Sequence, residues 1–322
     1  VANELCARLG ADNVIKIDTA GGKSVVLKAP FQCVAALKKS MNIIIFPAQN
    51  GVRVYAPLLF FFRKFFKNRK IFYVVIGGWL PELLKKHMRL KAILKGFDRI
   101  YVETNTLKRS MEGLGFTNIV VMPNCKNLNI LSLNELVYSV DVPYKLCTFS
   151  RVMKEKGIED AMDVVKEINE EVGKTICTLD IYGPVDLSQL QWFDTLKGSF
   201  PEYIRYGGII DYDKSVEVLK SYFALLFPTH YYTEGIPGTI IDAYAAGVPV
   251  VSAKWESFSD IVDEGVTGLG YEFNNEKGLK WCVMKAISDP LNFNMLKVNC
   301  LNKAASFTPS EAMKTLIDDI ND

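Results

Sequence analysis

Strand-like and helix-like segments alternate along most of this 322-residue chain. The strand-like segments are short, apolar and rich in Val, Ile and Phe, as strands buried in parallel sheets are. They lie at Val14–Ile17, Asn42–Phe46, Phe72–Ile76, Asp98–Val102, Ile119–Met122, Lys145–Ser150, Thr178–Tyr182, Ile204–Ile210, Ala224–Pro228, Val248–Val251 and Gly270–Phe273. This alternation predicts an α/β fold in which helices cover both faces of parallel sheets.

Composition restricts the class of protein further. The length suits two domains, and a hydrophobic content of 49% with 23% charged residues excludes a disordered chain. No apolar run reaches the length of a membrane span, and no secretory signal is visible. The seven cysteines include no Cys-x-x-Cys pair, which predicts reduced thiols in the cytoplasm. With only two histidines, a zinc site is not expected.

The charges are distributed unevenly. Up to Asp141 there are 21 Lys and Arg against 9 Asp and Glu, and after it 17 against 27. The two parts of the chain are therefore expected to face different partners. The basic part contains Leu58–Lys70, LLFFFRKFFKNRK, in which apolar residues alternate with five bases. This pattern predicts peripheral binding to an anionic membrane. The alternative is that the phenylalanines are core residues and the bases a solvated face.

The stretch Thr229–Ser252 contains the clearest sign of a ligand site. Pro237 is placed as a first-turn proline, Gly238 leaves the backbone open, and a helix is expected from Thr239 to Ala246. Gly247 follows as its stop. Free N–H groups at such a helix start favour an anion, especially a phosphate.

Two acids belong to this stretch, with seven residues between them. Glu234 precedes the helix and Asp242 lies inside it. A carboxylate accepts two hydrogen bonds from a vicinal diol, as in a ribose or a hexose. The alternative is that Glu234 is only an acid favoured by the helix dipole, and that Asp242 is a solvated acid on the helix surface.

A second segment, Ser150–Val165, places Arg151 and Lys156 at the start of a helix. Two cations and a helix start can together hold a diphosphate. The spacing Arg-x4-Lys-Gly here, with Glu-x7-Asp downstream, resembles the retaining family-4 glycosyltransferases and their Glu-x7-Glu segment. The resemblance extends over most of the chain.

The resemblance implies a GT-B fold, with two Rossmann-like domains whose parallel sheets face a central cleft. Residues 1–142 are expected to be the acceptor-binding domain, without its opening strand and glycine-rich loop. Residues 143–303 are expected to bind the nucleotide sugar, and residues 304–322 to form a helix that crosses back to the first domain.

The resemblance also implies roles for individual residues. Arg151 and Lys156 would stabilise the leaving diphosphate, Glu234 would orient the donor hexose, and Asp242 would bind the ribose. The other predicted donor-binding residues are Gly235, Ile236, Pro237, Gly238, Thr239, Gly183, Tyr206, Gly208 and Ile209.

The acceptor side is assigned to Asn50, in a loop after the strand Asn42–Phe46, and to Gly78 and Trp79 after Phe72–Ile76. Ligands of open α/β sheets bind at this edge. Family members often carry a donor-contacting histidine near Gly78, and that role has no counterpart here. The pair Gly21–Gly22 is interpreted as a plain turn in preference to a phosphate contact.

No metal or other cofactor is expected. Asp211-Tyr212-Asp213 resembles the metal-binding Asp-x-Asp of the GT-A fold, but Asp213 precedes a helix predicted over Lys214–Ser221, where it is a good N-cap.

The sequence therefore predicts a retaining transferase that moves a hexose from a nucleotide diphosphate sugar to a glycan or lipid-linked acceptor. The resemblance places it in bacterial surface-polysaccharide synthesis, at the inner face of the cell membrane, with no nucleic-acid partner. Two alternatives remain open: a GT-B nucleotide-sugar epimerase, and a non-catalytic nucleotide-sugar-binding subunit.

Overall fold

The chain forms two compact units in a computed structural model that describes residues 1–18, 23–275 and 277–322, without the side chains of 23–26. The first unit comprises Val1–Cys125 with Ala312–Asp322, and the second Lys126–Glu311. The predicted domain limits at 142 and 303 both fall inside the second unit. Segment 126–142 packs there because Leu131 and Leu136 are buried in its core and the Leu131 N–H donates to Ala245. The turn at Gly21–Gly22 lies outside the described residues.

The described strands of the first unit form a parallel sheet in the order β1-β2-β3-β4. The strands are β1 Asn42–Ile45, β2 Lys70–Val74, β3 Arg99–Val102 and β4 Ile119–Val121. The helices are α1 Ala2–Leu9, α2 Lys23–Lys39, α3 Gln49–Phe62, α4 Leu80–Lys86, α5 Met88–Lys95 and α6 Asn105–Gly113, with 3-10 turns at Ala11–Asn13 and Arg63–Phe65. The strands of this sheet are thus in chain order, and all of them are parallel as predicted.

Two local predictions for the first unit are wrong. Val14–Ile17 forms no strand and pairs with no described strand, and Ile15 and Ile17 are exposed. Helix α3 begins at Gln49, inside the predicted loop. Asn50 therefore lies in the first turn of a helix and not in a loop.

In the second unit, the described residues form a parallel sheet of six strands in the order β10-β9-β8-β5-β6-β7. These strands are β5 Tyr144–Phe149, β6 Cys177–Tyr182, β7 Ile204–Gly208, β8 Ala224–Phe227, β9 Val250–Lys254 and β10 Gly268–Glu272. The helices are α7 Ile158–Val172, α8 Leu190–Lys197, α9 Ser215–Leu219, α10 Gly238–Ala245, α11 Phe258–Ile261, α12 Gly278–Ser288 and α13 Pro290–Ala304, with 3-10 turns at Leu133–Glu135, Lys154–Lys156, Leu187–Gln189 and Ala305–Phe307. The predicted α/β class is thus confirmed for both units.

Hydrophobic cores cover both faces of this second sheet. Helix α7 shows how the sequence produces them. Its buried residues Ile158, Ala161, Met162, Val165 and Ile168 recur at intervals of three and four, which places them on one face of the helix. Helix α10 is different, because its residues from Ile240 to Ala245 are all buried. A helix that is buried on all its faces lies inside the domain and not on its surface.

The order of the strands reverses once in the second sheet. From β5 the chain adds β6 and β7 on one side, and then β8, β9 and β10 on the other. The reversal lies between β5 and β8. In open α/β sheets this point, at the carboxyl ends of the strands, is where ligands bind. The two loops that leave it run from β5 to α7 and from β8 to α10.

The last described helices are two short ones, α14 Pro309–Ala312 and α15 Lys314–Asn321, where one helix within residues 304–322 was predicted. Helix α15 packs in the first unit. Leu316 is buried, the Tyr101 hydroxyl donates to Asp319 at 2.5 Å, and Asn42 Nδ2 donates to the Ile320 carbonyl at 2.9 Å.

Candidate active site

The loops after β5 and β8 bring Lys156 and Glu234 together. Lys156 Nζ forms an ion pair with Glu234 Oε1, and the side chain of each residue is 17% exposed. Thr229 Oγ1 donates a second hydrogen bond to the same carboxylate oxygen at 3.1 Å. The ammonium also lies over the rings of Phe227 and Tyr231, at 5.5 and 5.1 Å from their centroids. The two predicted site residues thus form one half-buried polar cluster.

Gly157 allows these loops to approach so closely. It has a left-handed backbone at φ +69°, and a Cβ there would overlap the carbonyl oxygen of Pro228. The His230 N–H donates across the same contact to the Glu155 carbonyl at 2.9 Å. A side chain at 157 would push the loop of Lys156 away from the loop of Glu234.

Arg151 extends from the carboxyl end of β5 beside this cluster. Its side chain is 63% exposed, and its guanidinium lies 3.6 Å from Asp186. Hydrogen bonds from the hydroxyl and the backbone N–H of Ser188 lower the pKa of the Asp186 carboxyl. The loop after β6 packs against this segment through Gly183, where a Cβ would overlap the Ser150 carbonyl. Packing therefore fixes the backbone beside Arg151, while its guanidinium is accessible.

The start of α10 carries unpaired polar groups. Pro237 is the N-cap, with φ −66° and ψ 124°, so the first helical residue is Gly238 and not the proline as predicted. Within the described residues, the N–H groups of Gly238 and Thr239 donate to no backbone carbonyl outside the helix. The hydroxyl of Thr239 is buried without a hydrogen-bond partner in that same part of the chain. These donors suit an anion.

Asp242, four residues into α10, is buried and ion-paired. Both of its carboxylate oxygens lie 2.6 Å from Lys126 Nζ, and the residue is only 3% exposed. Burial raises the pKa of this carboxyl, and the neighbouring Lys126 opposes that shift. The alternative of a solvated helix acid is therefore wrong. Sequence reasoning missed Lys126, which follows the Pro123-Asn124 turn and belongs to no recognisable motif.

The remaining predicted donor-binding residues differ in their exposure and in the hydrogen bonds that they already make. The side chain of Ile236 is buried in the core, and Gly235 is buried beside it. The Tyr206 hydroxyl donates to the Gly183 carbonyl at 2.8 Å, so it is already engaged within the protein. Gly208, at φ +79°, and the exposed Ile209 follow at the carboxyl end of β7.

On the first unit, the predicted acceptor residues lie at the carboxyl ends of β1 and β2. Trp79 caps α4, and its indole N–H donates to the Ile76 carbonyl at 2.7 Å. Gly78 is buried, whereas Asn50 is exposed. A buried acid that the prediction omitted lies at the end of β3: Glu103 Oε2 accepts from the Gly77 N–H at 3.2 Å. The sequence feature that could have indicated Glu103 is its position directly after the strand Asp98–Val102.

Asp213 does not form the predicted cap. Helix α9 begins at Ser215 with Lys214 as its N-cap, because a turn in which the Lys214 N–H donates to Asp211 comes first. Across residues 1–18, 23–275 and 277–322, no three His, Cys, Asp or Glu side chains are grouped as metal ligands would be.

A cavity of about 540 Å³ lies in the first unit beside edge strand β1. It is lined mainly by apolar side chains of 15–17, 32–36 and 42–47. None of Asn50, Gly78 and Trp79 lines it, so it is separate from the predicted acceptor residues. Within the described chain, no helix combines the length and apolar composition that a bilayer crossing requires.

Solved structures similar to this chain include glycosyltransferases. The chain matches solved structures of the GT-B class. One is Anabaena Alr3699/HepE in complex with UDP, with a TM-score of 0.74, 16% identity and coverage of 92% of this chain and 82% of that chain. Another is sucrose-phosphate synthase from Thermosynechococcus elongatus, with a TM-score of 0.74, 15% identity and coverage of 96% and 84%.

Residues 143–289 match the family described as glycosyl transferases group 1. This segment contains Arg151, Lys156, Glu234 and Asp242. The chain is also 23% identical over 155 residues to the uncharacterized glycosyltransferase MJ1069 of Methanocaldococcus jannaschii. That match covers 48% of this chain and 38% of the relative, so the chain spans well under two thirds of the relative's length. The family match thus concerns the second unit, which holds the candidate site.

Proposed function

We propose that this protein is a retaining glycosyltransferase that uses a nucleotide diphosphate sugar as its donor. The observation that carries the proposal is the cluster at the reversal of the second sheet. There Lys156 is paired with Glu234 beside the unpaired N–H groups that begin α10. Arg151 adds an accessible cation. This set of groups suits a diphosphate on one side and sugar hydroxyls on the other.

Each residue has a role in the proposed reaction. Negative charge develops on the diphosphate as the bond to the sugar breaks, and preorganised cations have their largest effect there. Arg151 and Lys156, together with the start of α10, supply the positive charge that stabilises the diphosphate. Glu234 holds hydroxyls of the hexose, and its pairing with Lys156 fixes the position of both side chains. The family resemblance supports a front-face reaction, in which the leaving phosphate takes the acceptor proton and the protein supplies no nucleophile.

The proposed substrates follow from chemistry and from the relatives. A solved complex of Alr3699/HepE contains UDP, which supports a uridine nucleotide as the first donor to try. The acceptor is proposed to be a glycan or a lipid-linked sugar, bound by the first unit. No metal is included in the proposal, because two cations and a helix start already supply positive charge for the diphosphate.

The direct test is transfer of a labelled hexose from a panel of UDP-sugars to membrane-lipid extracts. We expect a labelled glycolipid whose new linkage keeps the anomeric configuration of the donor. Arg151→Met should lower the rate by about ten- to a hundredfold, since a charge-assisted contact contributes roughly 1.5–3 kcal/mol. Epimerised donor without transfer, or bound donor that stays unchanged, would replace this proposal with one of the two alternatives.

We further propose that the first unit binds an anionic membrane surface through the end of α3. Phe61 and Phe65 are 54% and 69% exposed, and their rings contact each other with centroids 5.8 Å apart. Lys64 and Lys67 are exposed beside them. Exposed aromatics next to lysines suit the boundary between headgroups and acyl chains.

Not every base of Leu58–Lys70 is available for lipid. Arg63 is paired with Asp98 at 2.9 Å, and Arg69 donates to the Leu37 carbonyl at 2.9 Å. Lys70 Nζ donates to the Asp319 carbonyl at 3.3 Å. Removing these three bases would perturb the fold, so Lys64 and Lys67 are the informative positions.

Co-sedimentation with phosphatidylserine vesicles tests this surface. The double variant Lys64→Gln/Lys67→Gln should bind more weakly by about 2 kcal/mol, roughly thirtyfold at low salt. The double variant Lys174→Gln/Lys277→Gln removes the same charge from exposed positions of the second unit and should bind normally. Equal loss in both variants, or binding that ignores salt and lipid charge, would contradict a specific docking surface.

A further inference from the structure

The side chain of Lys126 lies against the first turns of α10. Its Nζ lies 2.6 Å from each carboxylate oxygen of Asp242. Its Cδ is 3.7 Å from the place that a Cβ on Gly238 would occupy. Positions 238 and 242 are four apart, so they lie on the same face of the helix. The lysine side chain therefore runs along this face from the first turn to the acid.

The two partners of this pair are exposed to very different degrees. The Asp242 side chain is 4% exposed and the Lys126 side chain 27%. The carboxylate lies beneath the ammonium, and both of its oxygens are already engaged. Near the start of α10, the Lys126 side chain is therefore more accessible than the Asp242 carboxylate.

We propose that Lys126, and not Asp242, contacts the nucleoside diphosphate part of the donor. An ammonium group has three N–H donors, and two of them are directed at Asp242. The third remains for a ribose or phosphate oxygen. Asp242 is then a positioning residue, which holds the ammonium over the helix start. This assignment rests on the proposed donor site, to which it adds a third cation after Arg151 and Lys156.

The alternative, a direct bond from Asp242 to ribose hydroxyls, requires a costly rearrangement. Lys126 would have to leave, and the nearly inaccessible carboxylate would lose its charged partner before the ligand arrived. Breaking a buried ion pair by withdrawing one partner is strongly unfavourable. Donation by Lys126 keeps the pair intact and needs no such step.

Four variants distinguish these assignments, each titrated with UDP by calorimetry. Lys126→Met should weaken UDP binding by about ten- to a hundredfold, the loss of one charge-assisted contact. Asp242→Asn keeps the ammonium and should cost about threefold or less. The double variant Lys126→Met/Asp242→Asn leaves no unpaired buried carboxylate, and it should bind as weakly as Lys126→Met. As a matched control, Lys303→Met removes a lysine that pairs with Asp263 at 2.8 Å, and it should bind UDP normally.

Kinetics add a measurement that a purely structural role would not change. If Lys126 contacts the nucleotide in ground and transition states alike, Lys126→Met raises the KM for donor and leaves kcat nearly unchanged. The inference is overturned if the folded double variant binds UDP as the unmodified chain does. It is equally overturned if Asp242→Asn abolishes binding while Lys126→Met does not.

The outcome for Arg151→Met separates this inference from the proposed function. If Arg151→Met weakens UDP binding and Lys126→Met does not, the donor site stands and the role of Lys126 is wrong. If the unmodified chain binds none of UDP, ADP and GDP, both the proposed function and this inference fail.

Discussion

Replacing Gly157 by Ala tests whether the two loops of the candidate site are as close as the structure indicates. Gly157 begins α7 with φ +69°, and a Cβ there would overlap the Pro228 carbonyl oxygen. Gly173 ends the same helix with φ +72°, and nothing lies within 4 Å of its Cβ position. The two glycines therefore share the backbone strain and differ in the steric contact.

The expected magnitudes follow from this comparison. An L residue in the left-handed region costs about 1–2 kcal/mol, which is the expected loss of stability for Gly173→Ala. Gly157→Ala adds an overpacked contact of about 1–3 kcal/mol more. Its total of roughly 2–5 kcal/mol corresponds to a Tm lower by about 5 °C or more for a unit of this size.

Thermal and urea unfolding of both variants provide the measurement, with UDP titration as a second readout. Gly157→Ala should also weaken UDP binding, because the clash separates Lys156 from Glu234. Gly173→Ala should bind UDP as the unmodified chain does. Equal destabilisation by the two substitutions would refute the close approach of the loops and, with it, the preorganised site.

Three further predictions concern individual groups. Burial lowers the pKa of Lys297 to about 8 from the ordinary 10.5. Between these two pH values the folded state binds fewer protons than the unfolded state. The free energy of unfolding therefore rises with pH over this range. Relative to Lys297→Met, the unmodified chain should gain about 3 kcal/mol of unfolding free energy from pH 8 to pH 10.5, measured by urea titration. If the difference in unfolding free energy between the two proteins does not change with pH, Lys297 has an ordinary pKa. Glu234→Gln should lower kcat more than it raises the KM for donor, because Glu234 is proposed to contact the hexose near the reacting carbon. A change confined to KM would reassign Glu234 to ground-state binding. The rate of sugar transfer in excess EDTA should equal the rate with magnesium. If EDTA abolishes transfer and manganese restores it, metal binding by Asp211 and Asp213 becomes the better interpretation.

The sequence by itself determined the α/β architecture and predicted most residues of the candidate site. Runs of Val, Ile and Phe can be buried on both sides only in parallel sheets covered by helices, so alternation predicted the class. Backbone requirements are equally local: Gly157 and Gly247 occupy left-handed positions that glycine adopts without strain. Lys156 and Glu234, 78 positions apart, were assigned to one site through their motifs, and the fold brings them into contact.

Only the tertiary structure decided which charges are free and which are engaged. Lys126 pairs with Asp242 across 116 positions, and Arg69 and Arg63 in the basic stretch are bound inside the first unit. Pairings of this kind depend on how distant loops pack and leave no periodic signal in the sequence. The same applies to Val14–Ile17, whose apolar pattern favours a strand although it pairs with no described strand. A strand requires a hydrogen-bonding neighbour, and tertiary structure alone supplies one.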